Sequence, residues 1–452
     1  MENYKLVSNT WSVYKNNGNE LVLFPSIPKW LILPHGGSLY LEKINNRVLT
    51  AAEVDTDDFL KSLRDIGVLV IDGPHSNISF TKNNKCLTAV WLHLSDRCNL
   101  SCKQCFLGEK PVESKYTLTV SEIKSIISDI SKYRGYHKIA IDLTGGEPLL
   151  NKSIIDIVDV CMTDNTFPRI ITNGTLLDGH LSKKLAMKDV SVTVSLDGAT
   201  VDSNDFLRGK GTFEKIIKNI KLAVSNGLRV FLSMTVFDGN QNEVIEYLKL
   251  AKDLGVQGVN FSFLTKVGNA TVNQLHPANQ YKVIINICHY VAEHTEYITL
   301  LDKSLIAVIF DIVKTPFKCD CCGSGVNVLA ITETGDCYPC PTFQLNDFKL
   351  GNIREENLDN ILHNKILDGF QKLSVTNKDS QCNTCDVRFF CGGGCRGNAF
   401  RNKNDIHASG LNCHELKKLY IEIIWLLFSY PQLQKLSKYK DTTDMKNFVA
   451  CR

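Results

Sequence analysis

Three cysteines, Cys98, Cys102 and Cys105, stand in the spacing C-x3-C-x2-C within the segment DRCNLSCKQC. Three thiolates on one short loop can hold three irons of a cubane and leave the fourth iron open to a chelating ligand. Thiolate is the soft donor that selects iron–sulfur clusters. For the triplet taken alone, the alternatives are ordinary buried cysteines, or zinc with a distant fourth ligand. A second array lies downstream. Cys322 is followed by Gly335 and Cys340, then by Cys382-x2-Cys385-x5-Cys391-x3-Cys395, and finally by Cys413. By itself the C-x2-C-x5-C-x3-C run suits a zinc ribbon about as well as iron. Two further cysteines, Cys319 and Cys321, precede Cys322, and Cys337 stands off the pattern.

The totals bear on that choice. The chain of 452 residues has 17 cysteines, and Cys86, Cys161, Cys288 and Cys451 outside the two groups read as ordinary core or surface residues. The N-terminus, MENYKLVSNTW, shows no basic start followed by an apolar run, so no secretory signal is expected. No stretch reaches the roughly 18–20 apolar residues that span a bilayer. The best candidate, Leu419 to Phe428, is interrupted by Glu422 and reads as a core helix. The expectation is a cytoplasmic protein, where thiols stay reduced and clustered cysteines favour metal over disulfide. With 51 Lys and Arg against 48 Asp and Glu, the charge gives no argument for nucleic acid or membrane.

Three regions must position these residues. Residues 1–85 read as a small unit of short apolar runs (Leu21 to Phe24, Leu31 to Leu33, Leu39 to Leu41). A helix follows, with Asp55 as its cap, Gly67 as its end, and Phe59, Leu60, Leu63 and Ile66 on one face. Val68 to Ile71 and Ile78 to Phe80 read as a hairpin, so the unit resembles a winged helix. Residues 86–310 carry six β-rich runs: Ala89–Ser95, Lys138–Thr144, Pro168–Thr172, Val190–Leu196, Arg229–Phe237 and Gly258–Leu264. Helical segments separate most of them, as where Ile123, Ile126, Ile127 and Ile130 share a face. Strands alternating with helices predict a parallel α/β sheet, here a partial (β/α)6 barrel with its chemistry at the C-terminal strand ends. Residues 311–452 lose periodicity as cysteine density rises, the pattern of a segment held by metal, before a terminal helix over 414–428.

The motifs follow the strand ends in order. The cysteine triplet follows the first strand, TGGEP (Thr144 to Pro148) ends the second, TNGT (172–175) the third and SLDG (195–198) the fourth. Together they resemble the radical S-adenosylmethionine (SAM) superfamily. The resemblance implies a SAM-binding [4Fe–4S] cluster on Cys98, Cys102 and Cys105. It implies SAM contacts from Gly145, Gly146, Glu147, Thr172, Asn173, Ser195 and Asp197, with Arg208 as carboxylate partner. The family places an aromatic residue before the third cysteine; here it is Gln104, and Phe106 is taken to stack on the adenine instead. The seven-cysteine array resembles the SPASM extension of radical SAM peptide-modifying enzymes. It implies two auxiliary [4Fe–4S] clusters, one on Cys322, Cys340, Cys395 and an upstream cysteine, the other on Cys382, Cys385, Cys391 and Cys413. Cys319 is preferred over Cys321 as the upstream ligand.

The implied chemistry is hydrogen abstraction by a 5′-deoxyadenosyl radical, with a flavodoxin or ferredoxin as reductant. Auxiliary clusters can remove the second electron, or bind a substrate thiolate if one iron is open. A winged-helix unit ahead of this pair resembles the leader-recognition element of ribosomal peptide maturases, in which the leader adds as a strand to the wing. The substrate class is then a precursor peptide, and the leading product a Cys-to-carbon thioether, as in sactipeptide or ranthipeptide maturation. Another peptide crosslink, maturation of a protein such as a sulfatase, and a zinc-dependent binding module without catalysis are the alternatives. His93 reads as a core histidine, and neither Asp238 nor Glu243 is assigned as acid or base.

Overall fold

The structure is a computed structural model, and it describes residues 2–72, 86–108, 116–135, 137–302, 304–314, 318–378, 380–410 and 412–437. Six short strands open the chain: β1 (Asn3–Leu6), β2 (Ser12–Asn16), β3 (Asn19–Phe24), β4 (Lys29–Pro34), β5 (Leu49–Thr50) and β6 (Leu69–Ile71). β2, β3 and β4 form an antiparallel meander. Asn17 and Gly18 close its first hairpin, both at positive φ (45° and 76°), the conformation a two-residue Asn-Gly turn supplies. Alternation along β3 divides two cores. Val22 and Phe24 face the unit's own helices, while Leu21 and Leu23 belong to the core of the main body.

The sequence expectation for this unit holds in part. Leu60 and Leu63 are buried, whereas Ile66 is exposed. The helix Asp58–Asp65 is capped by Asp57, whose carboxylate accepts from the amides of Phe59 (2.8 Å) and Leu60 (3.0 Å). Asp55, the expected cap, lies inside the preceding helix Ala51–Thr56, which starts with its own Thr50/Glu53 capping box. β6 pairs antiparallel with β1. The other arm of the expected hairpin, Ile78–Phe80, lies outside the described residues.

Six parallel strands follow as expected, within one or two residues: β7 (Ala89–His93), β8 (Ile139–Thr144), β9 (Thr166–Thr172), β10 (Ser191–Ser195), β11 (Arg229–Val236) and β12 (Gly258–Phe263). They lie in sequence order across the sheet. The helix Val120–Ile130 turns Ile123, Ile126, Ile127 and Ile130 into the core. The sheet does not stop at six. β13 (Val328–Ile331), from the cysteine-rich region, pairs parallel with β7, in register Val328 with Ala89. β14 (Asp336–Tyr338) and β15 (Gly351–Asn352) continue it antiparallel. The terminal helix, Cys413–Ser429, packs on the helices Gln280–Glu293 and Leu305–Lys314.

Candidate active site

The C-terminal strand ends converge on the loop after β7. Leu94 donates to the Thr144 carbonyl at 2.8 Å, while Gly146 and Glu147 donate to the carbonyls of Ser95 (2.7 Å) and Arg97 (2.8 Å). A Cβ on Gly146 would stand 2.0 Å from the Arg97 oxygen, and Gly145 has φ 122°. The glycines of TGGEP therefore let this turn lie directly on the cysteine loop. Glu147 is 1% exposed. Its carboxylate accepts from the Leu149 amide (2.9 Å), the Thr172 hydroxyl (2.6 Å) and the Asn173 amide (2.8 Å). Burial raises its pKa against the lowering effect of those hydrogen bonds. Glu147, read in the sequence as a SAM contact, clamps the end of β8 to the end of β9. Asn173 carries the clamp to the cysteines: its Nδ2 donates to Asn99 Oδ1 at 2.9 Å and lies 3.9 Å from Cys98 Sγ.

A second clamp forms at the end of β10. Asp197 is fully buried and pairs with Arg208 at 2.7 Å. It also accepts from the Thr235 amide (2.6 Å) and from the Gln104 side-chain amide (2.5 Å). Its own carbonyl takes the Asn240 amide at 2.8 Å. Asp197 and Arg208, both read in the sequence as SAM contacts, are bonded to each other. Gln104, the departure from the family pattern, is the third member of their network. Ser195 ends β10 in register with Ser233. On the far side of the loop, Asn269 donates through Nδ2 to Cys102 and through its backbone to Cys105, at 3.0 Å each.

Burial raises two of the three thiols above their ordinary value. Cys102 is pushed up to about 11, with Arg208 opposing and Asp197, Cys105 and Cys98 adding. Burial raises Cys98 too, Glu147 and Cys105 adding. The three sulfurs thus lie close enough to feel one another, in a setting where thiolate needs a metal cation. Gln104 Oε1 and Arg208 Nε are buried without hydrogen-bond partners, one acceptor and one donor beside the cysteines. This donor set fits a cubane carrying a ligand with both polar functions, as SAM has. Among the described residues no three His, Cys, Asp or Glu side chains close on a single-ion position.

The downstream cysteines fall into two neighbourhoods. Cys322 adds to the raised pKa values of both Cys340 and Cys395, which burial dominates. Cys340 Sγ meets the hydroxyls of Ser324 (3.2 Å) and Thr342 (3.0 Å). Burial pushes Cys391 up to about 12, with Cys319, Cys382 and Cys413 adding. Cys385 is raised by burial, with Cys382 adding. Cys319, expected with the first set, donates its amide to Phe389 at 2.8 Å. Its sulfur lies 2.6 Å from where a Gly392 Cβ would sit, so it packs on the turn that carries Cys391. Cys161, Cys288 and Cys337 are buried; Cys86 is buried and disulfide-bonded, unlike the ordinary core residue expected.

Phe106, read in the sequence as the stacking residue, has a cation over one face of its ring. The Arg401 guanidinium covers it at 5.5 Å from the ring centre, and donates to the Thr342 carbonyl at 2.9 Å. Arg401 was not singled out in the sequence, nor were Asn99, Thr235, Asn240 and Asn269. Asn99 lies inside the cysteine loop but is not one of its cysteines, the other four stand outside the motifs, and each acts across a distance in sequence. His93 is a buried histidine beside Gln344, at 3.1 Å. Glu243 accepts from the Ala199 amide and the Ser203 hydroxyl and is occupied there.

Comparison with known proteins agrees with this geometry. Residues 92–251 match the model of the Radical SAM superfamily, and residues 321–386 match SPASM, an iron-sulfur cluster-binding domain. The antilisterial bacteriocin subtilosin biosynthesis protein AlbA of Bacillus subtilis is 25% identical over 366 residues, 77% of this chain and 78% of that protein. Mycofactocin maturase MftC of Mycobacterium tuberculosis is 27% identical over 316 residues, 69% and 78% respectively. Among solved structures, Streptococcus suis SuiB bound to its precursor peptide SuiA superimposes with a TM-score of 0.57 at 17% identity, over 90% of this chain and 98% of that one. AnSMEcpe with bound AdoMet gives 0.62 at 18% identity, over 76% and 99%.

Proposed function

This chain belongs to the radical SAM superfamily and carries a SPASM iron–sulfur domain, and from that premise we propose that it crosslinks a ribosomally made precursor peptide. It is an enzyme whose first domain binds SAM and a [4Fe–4S] cluster and whose second binds auxiliary iron–sulfur clusters. The product we assign is a Cys-to-carbon thioether, and the reductant a flavodoxin or ferredoxin. The observation that carries the peptide reading is the N-terminal unit. The match to SuiB, a structure with its precursor peptide bound, extends over 90% of this chain, whereas the match to anSMEcpe covers 76%. AlbA, by its name, serves biosynthesis of a bacteriocin.

When bound, the reduced cluster and SAM supply a 5′-deoxyadenosyl radical for hydrogen abstraction. The chain's own residues do the positioning. Cys98, Cys102 and Cys105 are the ligands of that cluster. The clamp of Glu147, Thr172 and Asn173 fixes the loop they stand on, and the Gln104–Asp197–Arg208 network holds the facing wall dry and rigid. Cys322, Cys340 and Cys395 serve one auxiliary cluster; Cys382, Cys385, Cys391 and Cys413 serve the other. The winged-helix-like N-terminal unit takes the leader as an added strand.

The test uses the full chain, reconstituted anaerobically with iron and sulfide, with SAM, dithionite and a cysteine-bearing peptide encoded beside its gene. Formation of 5′-deoxyadenosine with a mass loss of about 2 Da per link, suppressed by excess free leader, is the expected result. 5′-Deoxyadenosine formed with no change in any such peptide, and no leader binding, would remove the peptide reading and leave the radical chemistry.

A further inference from the structure

A cavity of about 690 Å3 opens between residues 373–378 with 380–381 on one side and 403–409 on the other, apart from the radical site, and no cysteine is among its described lining residues. Arg396, Lys403, Lys378 and His407 line it, with Ser380 and Gln381 as neutral polar groups. Arg396 is 1% exposed. Its Nη1 donates to the Ala408 carbonyl at 2.8 Å, while its Nε is buried without a partner. Lys403 donates to the Ser409 hydroxyl at 3.2 Å, which in turn donates to Gln381 at 2.8 Å. The cavity's carboxylate, Asp405, accepts from the His407 amide at 2.8 Å. Among the described residues, Arg396 and Lys403 have these neutral partners and no carboxylate.

A guanidinium held out of water without an anion is costly. Its planar donors match the two oxygens of a carboxylate or phosphate. We propose that this cavity is an oxyanion site, in which a carboxylate or phosphate is bound by Arg396 with Lys403 as the second cation. Arg396 follows Cys395 and Gln381 precedes Cys382, so the anion would lie beside loops serving both auxiliary sets. The oxyanion could come from an acidic side chain of the peptide substrate, a source that rests on the proposed maturase function, or from free phosphate, which does not.

Calorimetric titration of the reconstituted full chain tests both sources. The probes are inorganic phosphate, and a short peptide containing Asp and Glu against its Asn and Gln counterpart. Binding of at least one anionic probe is expected, weakened tenfold or more by Lys403→Gln or Arg396→Gln and by raised salt, and unchanged by Lys218→Gln. Phosphate binding alone assigns the site to a small anion; binding of the acidic peptide alone assigns it to the substrate. Because Arg396→Gln can unfold a buried position, Lys403→Gln, checked for iron content and circular dichroism, is decisive. If neither anion binds, or if Lys403→Gln binds as the parent does, the proposal is overturned. Neither result touches 5′-deoxyadenosine formation, which tests the proposed function separately.

Discussion

The two cysteine regions are built on opposite plans. The loop of Cys98, Cys102 and Cys105 sits on a finished scaffold. Three strand ends reach it through Thr144, Gly146, Glu147, Asn173 and Asp197, and Asn269 braces it from beyond the last strand. The downstream array has little regular structure of its own. Its turn at Gly392, Gly393 and Gly394 runs through three successive positive-φ glycines, and an aromatic group of Phe343, Phe348, Phe370 and Phe400 fills its centre. The first site is held by hydrogen bonds from the strand ends of the sheet. The cysteines of the second are spread over Cys322 to Cys413, and a cluster held by them would link metal binding to folding.

The sharpest break of that comparison is a pair of cysteine substitutions. Cys98→Ala should reduce 5′-deoxyadenosine to background while leaving the barrel's thermal unfolding near that of the parent. Cys382→Ala should keep SAM cleavage at least in part, stop peptide product, and lower the melting temperature of the reconstituted protein. Equal loss of SAM cleavage in both would show that the two regions are not independent.

A smaller effect sharpens the account of the clamp. Glu147→Gln replaces one accepting oxygen by a donor facing the Thr172 hydroxyl and the Leu149 and Asn173 amides. It should cost roughly 1–3 kcal/mol, read as a lower denaturation midpoint, and broaden the electron paramagnetic resonance signal of the first cluster. A signal unchanged in shape would place Glu147 outside the positioning of Cys98.

The smallest effect concerns the seam between the regions. Glu122, on the first barrel helix, pairs with Arg354 of the cysteine-rich region at 2.6 Å, and that pairing lowers its pKa to about 2. A carboxylate with a depressed folded pKa stabilises the fold above its unfolded pKa, and the gain fades as pH falls from about 4.5 through about 2. Partly exposed to solvent as it is, the pair should be worth about 0.5–1 kcal/mol. Glu122→Gln should therefore lower the melting temperature slightly at pH 7, by a margin that shrinks as pH falls from about 4.5 towards about 2.

The barrel was legible in the sequence because its signals are local. Each β-rich run is apolar over its own length, and β7 to β12 all appear where expected. The cap of the helix Asp58–Asp65 was misplaced because Asp55, Asp57 and Asp58 offer similar side chains, and only the break between two short helices selects Asp57. β13 was missed: Val328–Ile331 is four residues long, sits among cysteines, and gains its strand character from β7. Gln104 could be seen as an anomaly, but its partner Asp197 lies 93 residues away, and no spacing rule connects them. Phe106 was assigned from its neighbourhood in sequence, which contains no hint of Arg401.

The pairing of β13 with β7 has a bearing on synthesis at the ribosome. Until residues 328–331 have emerged, the first barrel strand presents an unpaired row of amides and carbonyls on a growing chain. That strand leads into the SAM-cluster loop, so its border remains open to mispairing through the translation of more than two hundred further residues. A nascent chain halted before Val328 should accordingly be captured by chaperones, and one halted after Ile331 should be released.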